Sequence, residues 1–140
     1  MFSRKRHHRP LKPIAWTKSA DIKKEIVNLV RALNLTHINP DDLHCVRSIN
    51  STTRAVARIW SLPRIWREIL NLEPQYVIEV VSHYYDKLSE HEKKRTLIHE
   101  LMHIPKNFSG SLISHRGRYH RIDRRTVDKL FQIYLANLEK

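Results

Sequence analysis

The stretch LIHELMHIP, Leu97 to Pro105, places His99 and His103 four residues apart with Glu100 directly after the first. On a helix, residues four apart stand on the same face one turn from each other. Two imidazoles so placed can bind one zinc ion, each at about 2 Å. Glu100 is rotated by one residue from His99, within reach of a water beside the ion without replacing it as a ligand. This is the chemistry of an H-E-x-x-H helix: two metal ligands and a general base on one rigid element, arranged for metal-assisted hydrolysis of a peptide bond. Glu100 would take a proton from the attacking water and return it to the leaving amine.

A catalytic zinc site uses a third protein ligand and keeps one position open. His115, His120, Asp123 and Asp128 are the candidates downstream. His115 is preferred, because the segment from Pro105 to Ser114 is long enough to loop back over the helix and Gly110 permits a turn. His120 is the alternative ligand, or a helper for the developing oxyanion together with Tyr119. Asp128 is short for the reach. A metzincin would carry a histidine six residues after His103, where this chain has Ser109, so that subclass is excluded.

These groups need elements to position them. Ser89-Glu90-His91-Glu92 is a capping-box pattern, so the metal helix is expected to open there and to stop near Pro105. Asp123 is placed to cap a last helix carrying Val127, Leu130, Phe131, Tyr134, Leu135 and Leu138. Upstream, Ile22, Ile26, Leu29, Val30 and Leu33 recur at helical spacing after Ser19, giving a helix to about Asn34. Leu43–Ile49 alternates as a strand. Ala55–Trp60 reads as a second strand, forming a hairpin with the first across Asn50-Ser51-Thr52-Thr53. Pro63 starts a short helix, RIWREIL. QYVIEVVS, Gln75 to Ser82, is the strongest strand signal, with Tyr76, Ile78 and Val80 on one face. Residues 1–18 read as a basic arm with Arg4, Lys5, Arg6 and Arg9, in which Pro10 and Pro13 oppose a helix.

The chain has 140 residues, of which 41% are hydrophobic, enough for one packed domain over residues 19–140. Cys45 is the only cysteine, which rules out an internal disulfide and cysteine-rich zinc modules. With no secretory signal at the N-terminus and no apolar run of about 20 residues, an intracellular setting without a membrane partner is expected. The formal net charge of +12 predicts attraction to polyanions, DNA or RNA among them, without specifying which. Arg116, Arg118, Arg121, Arg124 and Arg125 cluster after the third-ligand candidate and are the candidate nucleic-acid contacts. Oligomeric state is not legible in these patterns.

The segment HELMHIPKNFSGSLISHRGRYHRIDRRTVDKLF resembles a phage and archaeal metallopeptidase family. Its members carry HEL-x-HIP, a phenylalanine–small–glycine stretch, a histidine and then a basic stretch. The layout is also similar to that of SprT-type zinc proteases. The resemblance is strongest over residues 97–130 and does not take in the arm. It implies zinc on His99, His103 and His115, with Glu100 as the catalytic residue. It also implies an α+β, zincin-like core: an N-terminal helix, a three- or four-stranded sheet, the H-E-x-x-H helix and a C-terminal helix packed beneath. In such folds substrate lies extended beside the strand preceding the metal helix, here Tyr76–Val81. The competing function is a basic nucleic-acid-binding protein without protease activity, its zinc structural and closed by His99, His103, His115 and His120.

Overall fold

The computed structural model describes residues 12–115 and 121–138. The arm cations Arg4, Lys5, Arg6 and Arg9 lie outside the described residues, as do Arg116, Arg118, Tyr119 and His120. In chain order the elements are β1 (Ala15–Lys18), α1 (Ala20–Ala32), a 3-10 turn (Pro40–Asp42), β2 (Leu43–Ile49), β3 (Ala57–Ser61) and α2 (Arg64–Leu70). They continue with β4 (Tyr76–Val81), α3 (Ser82–Tyr85), α4 (Glu90–Leu101) and α5 (Arg124–Leu138). This is the expected α+β fold, with a four-stranded sheet in the order β1-β2-β4-β3.

β4 is apolar on one face and, apart from Glu79, on the other, and every residue but Val77 is buried. A strand so composed belongs in the middle of a sheet. It pairs in parallel with β2 and antiparallel with β3, in the registers Cys45↔Ile78 and Ile59↔Ile78. The expected hairpin of β2 and β3 is therefore corrected: β4 inserts between them. The linker between them runs from Asn50 to Val56 and carries no glycine, so nothing in it favours a tight two-residue turn. The same placement corrects the expected substrate edge. Tyr76–Val81 is flanked on both sides, and the outer strands are β1 and β3.

The sheet also reaches into residues assigned to the arm. β1 pairs antiparallel with β2 from Ala15↔Ile49 to Lys18↔Val46. All its side chains are exposed, so it is held by the main-chain ladder and leaves no apolar alternation in the sequence.

One charge is fully buried in the sheet. Glu79 in β4 has no exposed surface, and it sits directly across from Arg58 in β3. Arg58 donates from Nε and Nη2 at 2.8 and 3.3 Å, and the Trp60 indole donates at 2.8 Å. Burial alone would raise the carboxyl's pKa; the hydrogen bonds, led by Arg58, hold it below the ordinary value. Arg58→Ala would leave a buried carboxylate with the indole as its main donor. A loss of about 2–3 kcal/mol is expected, below the roughly 3–5 kcal/mol for breaking a fully buried pair because Arg58 is partly exposed. Urea unfolding at pH 7 measures it, and a change below about 0.5 kcal/mol would be inconsistent with this role.

Helices α1, α4 and α5 cover one face of the sheet. Ile22, Ile26 and Leu29 of α1 are buried against the core, with Val30 and Leu33 at its margin, as their spacing predicts. Leu97, Ile98 and Leu101 of α4 meet Val127, Phe131 and Tyr134 of α5 in the same core. Lys94 of α4 pairs with Glu25 of α1. Arg47 of β2 bridges Asp21 and Asp86 at 2.7 and 2.5 Å, fixing the start of α1 against the end of α3. The buried Cys45 thiol is pushed up to about 11 by desolvation, so it is a packing residue and not a nucleophile.

Candidate metal centre

The helix that carries the motif is defined at both ends by its own sequence. Ser89 Oγ accepts from the Glu92 amide at 3.2 Å, as expected of an N-cap. The Glu92 carboxylate takes a salt bridge from Arg95 at 2.8 Å. The helix closes at Met102, before Pro105. Its inward stripe, Leu97, Ile98 and Leu101, locks its rotation about its own axis. That rotation sends His99 outward, and the turn that follows the helix carries the buried His103 beside it, their ring centroids 5.2 Å apart.

The loop after the helix brings His115 to the same place. Its ring centroid lies 4.9 Å from that of His99 and 4.5 Å from that of His103. One ligand nitrogen from each of His99, His103 and His115 can be chosen so that all lie within 4.8 Å of one another. His99 Nε2 and His115 Nε2 are 2.9 Å apart. Ligand atoms around a tetrahedral zinc ion are about 3.3 Å apart when each bond is about 2.0–2.1 Å. One pair lies at 2.9 Å and all three lie within 4.8 Å, close to that spacing, and imidazole nitrogens suit zinc among other transition-metal ions. The residues present therefore fit a zinc ion.

The loop is held by contacts that no short motif announces. His103 Nδ1 is 2.5 Å from the Ile113 carbonyl oxygen, which can only accept, so Nδ1 carries a proton. The Ile113 amide in turn donates to the His103 carbonyl at 2.8 Å. Tyr76 Oη accepts from the Gly110 amide at 2.8 Å and donates to the Ser111 carbonyl at 2.9 Å, tying the loop to the central strand. Gly110 has φ +89°, and a Cβ there would meet the Arg67 guanidinium at 2.9 Å. The expected turn at Gly110 is present for both reasons. Beyond the undescribed residues, the Ile122 amide donates to the His115 carbonyl at 3.2 Å and draws the two ends of that segment together.

The electrostatics favour neutral ligands and a proton-accepting neighbour. His99 is lowered to about 4, first by desolvation and then by the nearby His103 and His115. Its lone pair is thus free at neutral pH. Glu100 is 7% exposed, and desolvation raises its carboxyl to about 7. Among the described residues, no donor is hydrogen-bonded to it. A carboxyl titrating near neutrality beside a metal site is suited to moving protons in both directions.

Glu100 and His99 open onto a cleft of about 330 Å³. Its other walls are Val56 and Ala57 at the start of β3, Glu92, Arg95 and Thr96 of α4, and Arg124 and Val127 of α5. Of the other candidates, Asp123 caps α5: its Oδ1 accepts from the Thr126 amide at 2.9 Å, and Thr126 Oγ1 accepts from the Asp123 amide at 3.0 Å. Asp128 accepts from Arg95 at 3.2 Å. Arg121 and Arg125 are exposed, and Arg124 alone of the described arginine cluster lines the cleft. Arg95, which sequence reading did not single out, lines it too. Its signal was present as an i, i+3 partner of Glu92, but its reach to Asp128 on another helix was not.

Neither a curated protein nor a solved structure matches the chain. The chain does match the family model described as "Putative phage metallopeptidase" over residues 14–130, from the beginning of the sheet to the middle of α5, and it belongs to that family.

Proposed function

We propose that the protein is a zinc-dependent peptidase in which His99, His103 and His115 hold the ion and Glu100 is the general base. The observation that carries this reading is the convergence of three imidazoles beside a buried carboxyl that opens onto a cleft. A zinc ion at that position would polarise a scissile carbonyl and acidify a water molecule. The chain's own residues do the rest. The Ile113 carbonyl fixes the His103 tautomer, and desolvation keeps His99 neutral. Glu100 accepts the proton of the attacking water and delivers it to the departing amine. The outer edge of β3 begins in the cleft wall at Ala57, and an extended peptide can add to it by main-chain hydrogen bonds.

The structural-zinc alternative needs a fourth protein ligand. Three histidines converge among the described residues, and the acids nearest in sequence are engaged in capping and in an ion pair. His120, the fourth ligand that alternative would use, lies outside the described residues, and what supports the enzyme is the buried Glu100 carboxyl beside the three histidines, which a structural site does not need. The +12 charge supports substrates that are acidic or that sit on nucleic acid, and salt-dependent binding to DNA and to RNA would test the second.

The direct test is metal analysis of the purified protein followed by proteolysis of an unfolded protein substrate. One zinc per chain is expected. Chelation should abolish cleavage and zinc should restore it. Cleavage that survives full metal removal would refute the reading.

A further inference from the structure

Helix α2 leaves its apolar face in solvent. Its sequence RIWREIL places Ile65, Trp66, Ile69 and Leu70 within about 140° of arc at 100° per residue. In a surface helix such an arc normally faces the core. Here the four side chains are 69, 57, 78 and 54% exposed, and no residue of the helix is buried. On the opposite arc Arg64 and Glu68 are exposed as well and pair with each other at 2.8 Å; Arg67 alone of the helix turns toward the body. Arg67 Nε is buried there without a hydrogen-bond partner among the described residues, and its guanidinium rests on Gly110. Trp60 and Leu72, just before and just after the helix in sequence, are exposed too. A cluster of large exposed apolar side chains on one helix face is the kind of surface that marks a docking site.

Its position says what docks. α2 follows β3 after two residues, Leu62 and Pro63. The other end of β3, at Val56 and Ala57, walls the cleft beside His99 and Glu100. No described strand pairs with the outer side of β3. A chain laid along β3 from the cleft would cover five strand residues, about 17 Å at about 3.3 Å each, and arrive at α2. A second copy of this protein is a poor occupant, because each copy carries a net charge of +12 and would repel the other. An acidic partner is drawn in by the same charge. Arg124, in the cleft wall, has no ion-pair partner among the described residues and is available to it.

We infer that α2 is a substrate-docking platform. It takes an apolar cluster in an extended, acidic protein segment, about five to seven residues from the bond that is cut. This rests on the peptidase reading and adds a substrate class to it: long unfolded segments rather than short peptides.

The experiment starts by mapping a cleavage site in β-casein. Three peptides are then made: six residues spanning that bond, and two versions of it extended by seven residues, one on each side, each carrying Trp-Leu-Leu at the far end of the extension. Wild type is compared with the double variant Trp66→Ser/Ile69→Ser, whose altered side chains are exposed and outside the cleft. One extended peptide should be cut with a KM about 10- to 100-fold lower than the short one, the scale of losing two apolar anchors. The double variant should lose that gain while cutting the short peptide normally. Equal cleavage of long and short peptides by wild type, or an equal loss of both in the variant, overturns the proposal. Docking is also read without turnover, by fluorescence anisotropy of a labelled 13-residue acidic peptide ending in Trp-Leu-Leu, chosen without reference to any cleavage site, on zinc-loaded Glu100→Gln protein. Binding that the Trp66→Ser/Ile69→Ser change abolishes supports the platform even if wild type cleaves nothing, a result that would sink the peptidase reading alone. No binding overturns it. So does a dimer in sedimentation that the double variant dissolves, since the platform would then be covered by a second copy.

Discussion

Glu100→Gln is expected to keep the metal and to lose about two to four orders of magnitude in kcat, the range for removing a positioned general base. Glutamine has nearly the same shape, so the 7% exposed position should still be filled and His99 and His103 should keep their places. What disappears is the group that accepts the proton. Metal content by mass spectrometry and turnover on a protein substrate separate the two effects. Full activity in the variant would remove Glu100 from the mechanism. The same substitution has a second readout in metal-free protein. The folded-state pKa of Glu100, about 7, lies above the ordinary value of 4.5. Burial of the charge therefore costs nothing below about pH 4.5, costs progressively more as pH rises, and reaches about 3 kcal/mol above pH 7. Chelated Glu100→Gln protein should be more stable than chelated wild type at pH 8, and the difference should close toward pH 4.5. Urea unfolding at the two pH values measures it.

Replacing a histidine of the cluster should empty the site. His103→Ala and His115→Ala should each weaken zinc binding by more than about 100-fold, since removal of an outer-shell partner alone costs about 10–100-fold. The two variants should differ in stability. His115 is exposed, so its loss should leave the fold intact and cost only metal. His103 is buried and clasped to Ile113 through its ring and its main chain, so its loss should also loosen the loop. Competition with a chromogenic chelator reads affinity, and thermal unfolding with and without zinc reads the coupling. Asp128→Asn is the control. It should weaken the contact with Arg95 and leave zinc affinity unchanged. Unchanged zinc affinity in His115→Ala would move the third ligand elsewhere.

The metal helix was legible in sequence because everything that defines it is local. Ser89 caps it, Pro105 follows its end, and the four-residue spacing of His99 and His103 brings them side by side. The cap of α5 at Asp123 and the buried stripe of α1 are local in the same way. His115 was reachable by sequence only as a preference among several downstream groups, because loop length sets what is reachable and not what is reached. The clasp of His103 to Ile113 and the Tyr76 hold on Gly110 and Ser111 bring it beside His99 and His103, and main-chain partners carry no residue signature. Strand order escaped for a related reason. Neighbours in sequence are the default partners, but β4 is apolar on both faces apart from Glu79 and had to be flanked, and only the Glu79–Arg58 match across strands records that in side chains. The direction in which α2 points was likewise undetermined. Periodicity groups Ile65, Trp66, Ile69 and Leu70 on one arc, but which arc meets the protein body depends on what that body offers. Here it offers Gly110 to Arg67 and leaves the apolar arc to solvent.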